Sequence, residues 1–219
     1  MSRAVCAGTI VIVLFLSATS PRALADDATG QNASGTSQAE PESTASEVPR
    51  GHLQKGDQEW GLLAGVGIAL DIGGVGDREF LTLGGRIGRI LTNQKGPGFL
   101  KGNVVFAVEI LPVFLMFQEQ TTYGASFTLL LRHYMAPNSK VKPFLSLGAG
   151  ALFSTDPIPP EASRLNFTLQ AGIGIMWFPK TRLAYVLECR IHHISNAELN
   201  EVNPGINSIY IQFGVSIFR

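Results

Sequence analysis

Between Leu165 and Trp177 the chain alternates without a break. Leu165, Phe167, Leu169, Ala171, Ile173, Ile175 and Trp177 fall on one side, and Asn166, Thr168, Gln170, Gly172 and Gly174 on the other. A repeat of two belongs to a β-strand, whose successive side chains point to opposite faces. The pattern covers about 164–177, and seven further segments read the same way, at about 58–70, 80–91, 102–112, 122–134, 142–153, 182–195 and 207–218. Gly, Pro, Asn and Asp separate them, and no segment carries a long helical period. Eight antiparallel strands predict an all-β fold, a small closed barrel.

Which side of the wall is wet follows from the polar faces. They are mostly Gly, Ser and Thr, with a few charged or basic groups, namely Arg86, Glu109, Arg132, Glu188, Arg190 and His192. A water-facing surface is typically ~25–35% charged, and these faces fall short of that. Small residues with a few pairable charges suit the narrow interior of an eight-stranded membrane barrel, with the apolar faces turned to lipid. The strands also reach the ~9–11 residues a tilted membrane strand needs. Gly65-x-Gly67, Gly84-Gly85, Gly148-x-Gly150 and Gly172-x-Gly174 resemble dinucleotide motifs only superficially. They lie within strands with no helix following, and read as small interior residues.

Ahead of the barrel, Met1 to Ala25 has a basic start at Arg3, an apolar run from Thr9 to Leu16 and an Ala23-Leu24-Ala25 ending. That predicts a secretory signal peptide over 1–25, the alternative being a retained anchor. Residues 26–56 are rich in Ser, Thr, Ala, Glu, Gln, Gly and Pro and predict a disordered segment, so the barrel domain is expected over 57–219. An exported chain with this pattern is expected in the Gram-negative outer membrane, crossing it many times. Cys6 falls in the signal, which leaves Cys189 and no intrachain disulfide. Cys189 reads as a small apolar filler on a strand, with a nucleophilic role as the alternative. A formal net charge of zero with no basic run gives nucleic-acid binding no support. His52 and His133 show no ligand spacing, so neither metal nor cofactor is expected.

The last two strands carry the chemistry. In the seventh, Leu183, Tyr185, Leu187, Cys189 and Ile191 form the outward set, so His193 and Ser195 share that face while Glu188, Arg190 and His192 point inward. In the eighth, Ile209, Ile211, Phe213, Val215 and Ile217 point outward, and the same parity turns Asn207 outward. Three polar residues thus interrupt faces that meet lipid. A histidine two positions from a serine, with an acceptor on the neighbouring strand, is the nucleophile–base–orienter arrangement of serine hydrolysis. The plainer alternative is a polar pair marking the membrane–water boundary. With the N-terminus in the periplasm, the seventh strand ends at the outer leaflet, where lipopolysaccharide lies. His192, beside Glu188 and Arg190, reads as part of a bracing network inside.

The run His193-Ile194-Ser195-Asn196-Ala197, followed by Asn203-Pro204-Gly205 and a closing strand, resembles the lipid A 3-O-deacylase family, the PagL-like outer-membrane acyloxyacyl hydrolases. The resemblance is strongest over about 190–214, and the segment Val108-Glu109-Ile110-Leu111-Pro112 extends it. It implies an enzyme that removes the ester-linked 3-O-acyl chain of lipid A without a metal or cofactor. Ser195 would be the nucleophile, His193 the base, and Asn196 and Asn203 oxyanion donors. The family's third triad position is acidic; here it is Asn207, which can orient a histidine but not stabilise imidazolium by charge. Glu198 and Glu201 in the same loop are candidates for the missing charge, or ordinary solvated residues. The competing functions are a non-enzymatic structural or adhesive barrel and an outer-membrane phospholipase using the same dyad. A homodimer is an assembly the sequence leaves open.

Overall fold

The computed structural model describes residues 50–71, 78–136 and 139–219. The expected signal peptide, residues 26–49 of the expected disordered segment and most of the first connection lie outside the described residues. Eight strands follow in chain order: β1 (Gln58–Ala69), β2 (Glu79–Ile90), β3 (Gly102–Phe117), β4 (Thr122–Met135), β5 (Val141–Ser154), β6 (Leu165–Trp177), β7 (Leu183–Ser195) and β8 (Ile206–Phe218). Each pairs antiparallel with its sequence neighbours, and β1 pairs with β8 to close the barrel. Closure leaves no unpaired edge, which a wall immersed in lipid requires.

Side-chain parity sets inside and outside. Leu62, Leu147, Leu169, Ile173 and Ile191 are each more than 60% exposed on the outer wall, at 75, 62, 61, 65 and 61%. An apolar surface that encircles the molecule is stable only against lipid. Cys189 is a free, exposed thiol on this outer face.

The inward set alternates with it and ends in two apolar plugs. At the end that carries the termini, Tyr134, Phe144, Met176, Phe178 and Phe218 pack with Leu53. Within the described residues 50–56, Leu53 is 1% exposed and Gly51 is buried against this end of the barrel, while Arg50, Gln54, Lys55 and Gly56 stay exposed. Leu53 is the one large aliphatic side chain of that stretch, with apolar surface to bury. At the loop end, Phe80, Phe114, Ile158, Ile194, Ile206 and Tyr210 close the other mouth.

Between the plugs lies a layer of three arginines and three glutamates, every side chain fully buried. Arg86 meets Glu109 at 2.8 Å and Glu188 at 3.2 Å; Arg190 meets Glu109 at 3.0 Å and Glu188 at 2.9 Å. Arg132 meets Glu59 at 3.1 Å, and the Tyr134 hydroxyl also donates to Glu59. Ser146, Gln170, Gln212 and Ser216 satisfy further lone pairs and N–H groups. Buried charges are tolerable when paired and hydrogen-bonded in this way, and breaking one pair leaves its partner stranded. Glu188→Ala should therefore destabilise the barrel by about 3–5 kcal/mol, read as a lower urea midpoint of the folded protein in detergent; an unchanged midpoint would show that the network is dispensable. His192 stands apart from this layer. It packs against Phe80 and Tyr210, with ring centroids at 5.5 and 5.7 Å, and so belongs to the aromatic plug instead of the expected brace.

The third strand also runs beyond its expected end. Pro112 has no N–H to give a ladder, which marks a strand end or a bulge. Here the pairing skips between Leu111 and Phe114 on one side and Leu83 and Gly85 on the other, and the strand continues to Phe117. Gly84 permits the skip, because a Cβ there would stand 2.1 Å from the Ile110 carbonyl oxygen. The connection expected over 113–121 is therefore only 118–121.

Candidate active site

The end of β7 and the start of β8 lie side by side, and His193 pairs directly with Asn207 in the ladder. Both side chains face outward and are half-buried. His193 Nδ1 and Asn207 Oδ1 are 2.8 Å apart. An amide oxygen can only accept, so Nδ1 carries a proton, and the neutral ring keeps its lone pair on Nε2. Neutral imidazole held in that tautomer is the form a general base needs.

Ser195 closes β7 on the same outward face, opposite Phe167 of β6. Residues two apart on a strand stand ~7 Å apart at Cα, within reach of a histidine ring leaning along the chain. Among the described residues no hydrogen bond joins Ser195 to His193.

The loop after Ser195 is wired by Asn196. Its backbone N–H donates to Asn203 Oδ1 at 3.0 Å, its Nδ2 donates to the Val202 carbonyl at 2.9 Å, and its Oδ1 accepts from the Glu198 N–H at 2.9 Å. These bonds hold Ala197 and Glu198 at φ 52° and 63°, a left-handed conformation that costs a side-chain-bearing residue energy. Both polar atoms of the Asn196 side-chain amide thus carry one hydrogen bond each. Asn203, pinned through its oxygen, makes no hydrogen bond through Nδ2 among the described residues and keeps that donor available. Asn200 Nδ2 donates to the Ala162 carbonyl, tying this loop to the β5–β6 connection. Glu198 and Glu201 are exposed, and neither contacts His193.

Gly205 is a neighbour that sequence parity does not reveal. It adopts φ +67°, and a Cβ there would lie 3.1 Å from His193 Cε1 and 3.8 Å from Nε2. The bare backbone leaves the basic nitrogen uncovered. Gly205→Ala should push the ring aside and lower turnover by roughly 10²-fold, the usual effect of an ångström-scale misplacement; steady-state kinetics of the folded variant would check it, and a wild-type rate would remove Gly205 from the site.

Each of two separate hollows is lined by a residue of this site, His193 in one and Asn203 in the other. An apolar groove of about 670 Å³ crosses the outer wall through Phe106, Leu131, Leu147, Ala149, Ala171 and Leu169 and ends at His193. A polar hollow of about 530 Å³ in the loop is lined by Glu198, Asn200, Glu201 and Asn203. Among the described residues no three His, Cys, Asp or Glu side chains stand together as a metal site.

Comparison with known proteins bears on the fold and the family. No curated protein matches the sequence significantly. Among solved structures, the outer membrane enzyme PagL superposes with a TM-score of 0.50 at 20% identity, covering 70% of this chain and 97% of that one. The N-terminal β-barrel domain of Pseudomonas aeruginosa OprF gives 0.50 at 13% identity, covering 76% and 100%. At such identities the likeness is one of fold. Residues 91–216, more than half of the sequence and including both strands of the candidate site, match the family model described as Lipid A 3-O-deacylase (PagL), and the chain belongs to that family of carboxylic ester hydrolases.

Proposed function

We propose that the protein cleaves the ester that holds the 3-O-acyl chain of lipid A, in the outer leaflet of the outer membrane, with Ser195 as nucleophile, His193 as general base and Asn207 as the residue that orients the imidazole. The observation that carries this reading is the 2.8 Å contact between His193 and Asn207 on the outer wall, beside Ser195 and at the head of an apolar groove. Family membership supplies the reaction class and the substrate.

With the termini at the periplasmic end, as outer-membrane barrels have them, the loop end faces the cell exterior. A lipid A molecule standing beside the wall then meets both hollows at once. Its acyl chain lies along the apolar groove, which spans β3 to β7, roughly 19 Å at ~4.8 Å per strand. Its sugar occupies the polar hollow of the 196–205 loop. The ester between them comes to Ser195.

The steps follow from the groups present. His193 Nε2 takes the Ser195 proton as Oγ attacks the acyl carbonyl carbon, and the carbonyl oxygen becomes an oxyanion. Asn203 Nδ2 donates to that oxyanion, a contribution worth ~2.7–4 kcal/mol where such donors have been removed, while Asn196 fixes the donor in place. Collapse breaks the ester bond, and His193 returns the proton to the departing sugar 3-hydroxyl. Water, deprotonated by the same imidazole, then attacks the acyl-serine and releases the free fatty acid. The test is mass spectrometry of lipid A from cells expressing the wild type or Ser195→Ala. Loss of the 3-linked acyl chain only with the wild type is expected. Unchanged lipid A with the protein folded in the membrane would refute the reading, and fatty acid released from glycerophospholipids instead would make it a phospholipase.

A further inference from the structure

The end of the barrel opposite the site carries a feature that ester hydrolysis does not use. Turns at the periplasmic end of such barrels are short. Two of the three here obey, at 136–140 and 178–182, whereas 91–101 is longer than any other described connection. It does not hang free. Lys95 and Gly102 exchange backbone hydrogen bonds at 2.8 and 2.9 Å, closing off the tip, and Gly98–Leu100 form a tight turn within it. His133 on β4 then donates from Nε2 to the Leu100 carbonyl at 3.0 Å. His133 shares the outward face with Leu129 and Leu131, so the turn is held against the lipid side of the wall.

What the turn displays there is amphipathic. Phe99 and Leu100 are 64% and 54% exposed at its tip. Lys95 and Lys101 flank them in the turn and Arg89 lies at the adjoining end of β2, all exposed, and none forms an ion pair among the described residues. Trp60, Trp177 and Tyr185 stand outward at the same end, the belt position that aromatic residues take at a membrane interface. Among the described residues, the one acidic side chain of this end outside the lumen is Asp57, which is already bound to Arg182 at 2.7 Å. The loop end has the opposite character, with seven carboxylates (Asp71, Glu79, Glu119, Asp156, Glu161, Glu198 and Glu201) against two cations, Arg78 and Arg164, among the described residues. The cations therefore gather at one headgroup level and are not spread over the molecule.

We propose that the 91–101 turn is a binding site for anionic phospholipid of the inner leaflet. Lys95, Lys101 and Arg89 pair with the phosphodiester, and Phe99 and Leu100 enter the acyl region beside it. The charge matches a phosphate-bearing headgroup, and the His133 contact places the apolar tip where acyl chains are. A zwitterionic lipid offers the same phosphodiester with a compensating cation, so it gains from the tip but little from the lysines.

The full-length folded protein, purified in a non-ionic detergent, is titrated with phosphatidylglycerol or phosphatidylethanolamine, and lipid adducts are counted by native mass spectrometry. Phosphatidylglycerol should bind more tightly than phosphatidylethanolamine. Lys95→Gln with Lys101→Gln should weaken phosphatidylglycerol about 30-fold and leave phosphatidylethanolamine nearly unchanged, from the usual effect of each cation near a surface. Phe99→Ser should weaken both lipids. Were the double variant to misfold, Arg89→Gln reads the same attraction at about 5-fold. Equal binding of the two lipids by the wild type, or phosphatidylglycerol affinity that survives loss of these cations in a folded barrel, would overturn the proposal.

Discussion

Ser195→Ala should lower the rate of 3-O-acyl release by only roughly 10²-fold, although removal of a triad serine can cost on the order of 10⁶. The smaller figure follows from Asn207. In a serine hydrolase whose acid has been removed, the remaining nucleophile and base retain about 10² of their advantage, because residues that act as one unit are strongly non-additive. Here Asn207 holds the His193 tautomer through a 2.8 Å contact but offers no negative charge to the imidazolium that forms at the transition state. Ser195 therefore has less to lose. His193→Ala should cost about as much, and the double variant no more than either alone, since each removes the same attack. Single-turnover kinetics on purified lipid A in detergent would measure all three. Fully additive losses in the double variant would mean that the two residues act separately, and the proposed dyad would fall.

The barrel was legible because period two survives translation into space. The faces read for 165–177 and for 183–195 are the inner and outer faces of β6 and β7, and the inward set Arg86, Glu109, Arg132, Glu188 and Arg190 meets in one charged layer. Glu59 belongs to that layer and follows the same parity, one residue ahead of the outward Trp60. Pro112 hid the rest of β3, since a missing donor marks a bulge and a strand end alike, and only the Gly84 approach in the partner strand separates them. The pairing of His193 with Asn207 depends on the register between two strands, which the spacing of residues on a single strand does not contain. The loop was least legible. The identities of Asn196 and Asn203 were visible, but which of their polar atoms are tied up within the loop depends on hydrogen bonds across it. Contacts of that kind carry no periodic signal.

Asn207→Asp should raise kcat by less than ~10⁴-fold (about 5.5 kcal/mol), the loss seen when a triad aspartate becomes asparagine, because that loss includes a wrong histidine tautomer that the His193–Asn207 contact avoids and only the charge remains to be gained. Aspartate is isosteric with asparagine, so the 2.8 Å contact to Nδ1 and the ladder position opposite His193 need not move. What changes is the charge facing the ring. During attack His193 becomes cationic, and a carboxylate on the partly lipid-covered outer wall stabilises it more than it would in water. The opposing term is the cost of holding that carboxylate half-buried while the imidazole is still neutral. Asn207 lies one residue after the start of β8 at Ile206, where the wall meets the loop, so water and the 196–205 segment limit this cost. The same substitution should increase the dependence on Ser195, with Ser195→Ala costing more than the roughly 10²-fold expected in the asparagine background and at most on the order of 10⁶. Asn207→Leu should move the other way, releasing the ring and its tautomer. If Asn207→Asp brought no gain in turnover while the barrel stayed folded, charge at this position would not reach the reacting proton, and Asn207 could not be the third member of a catalytic triad.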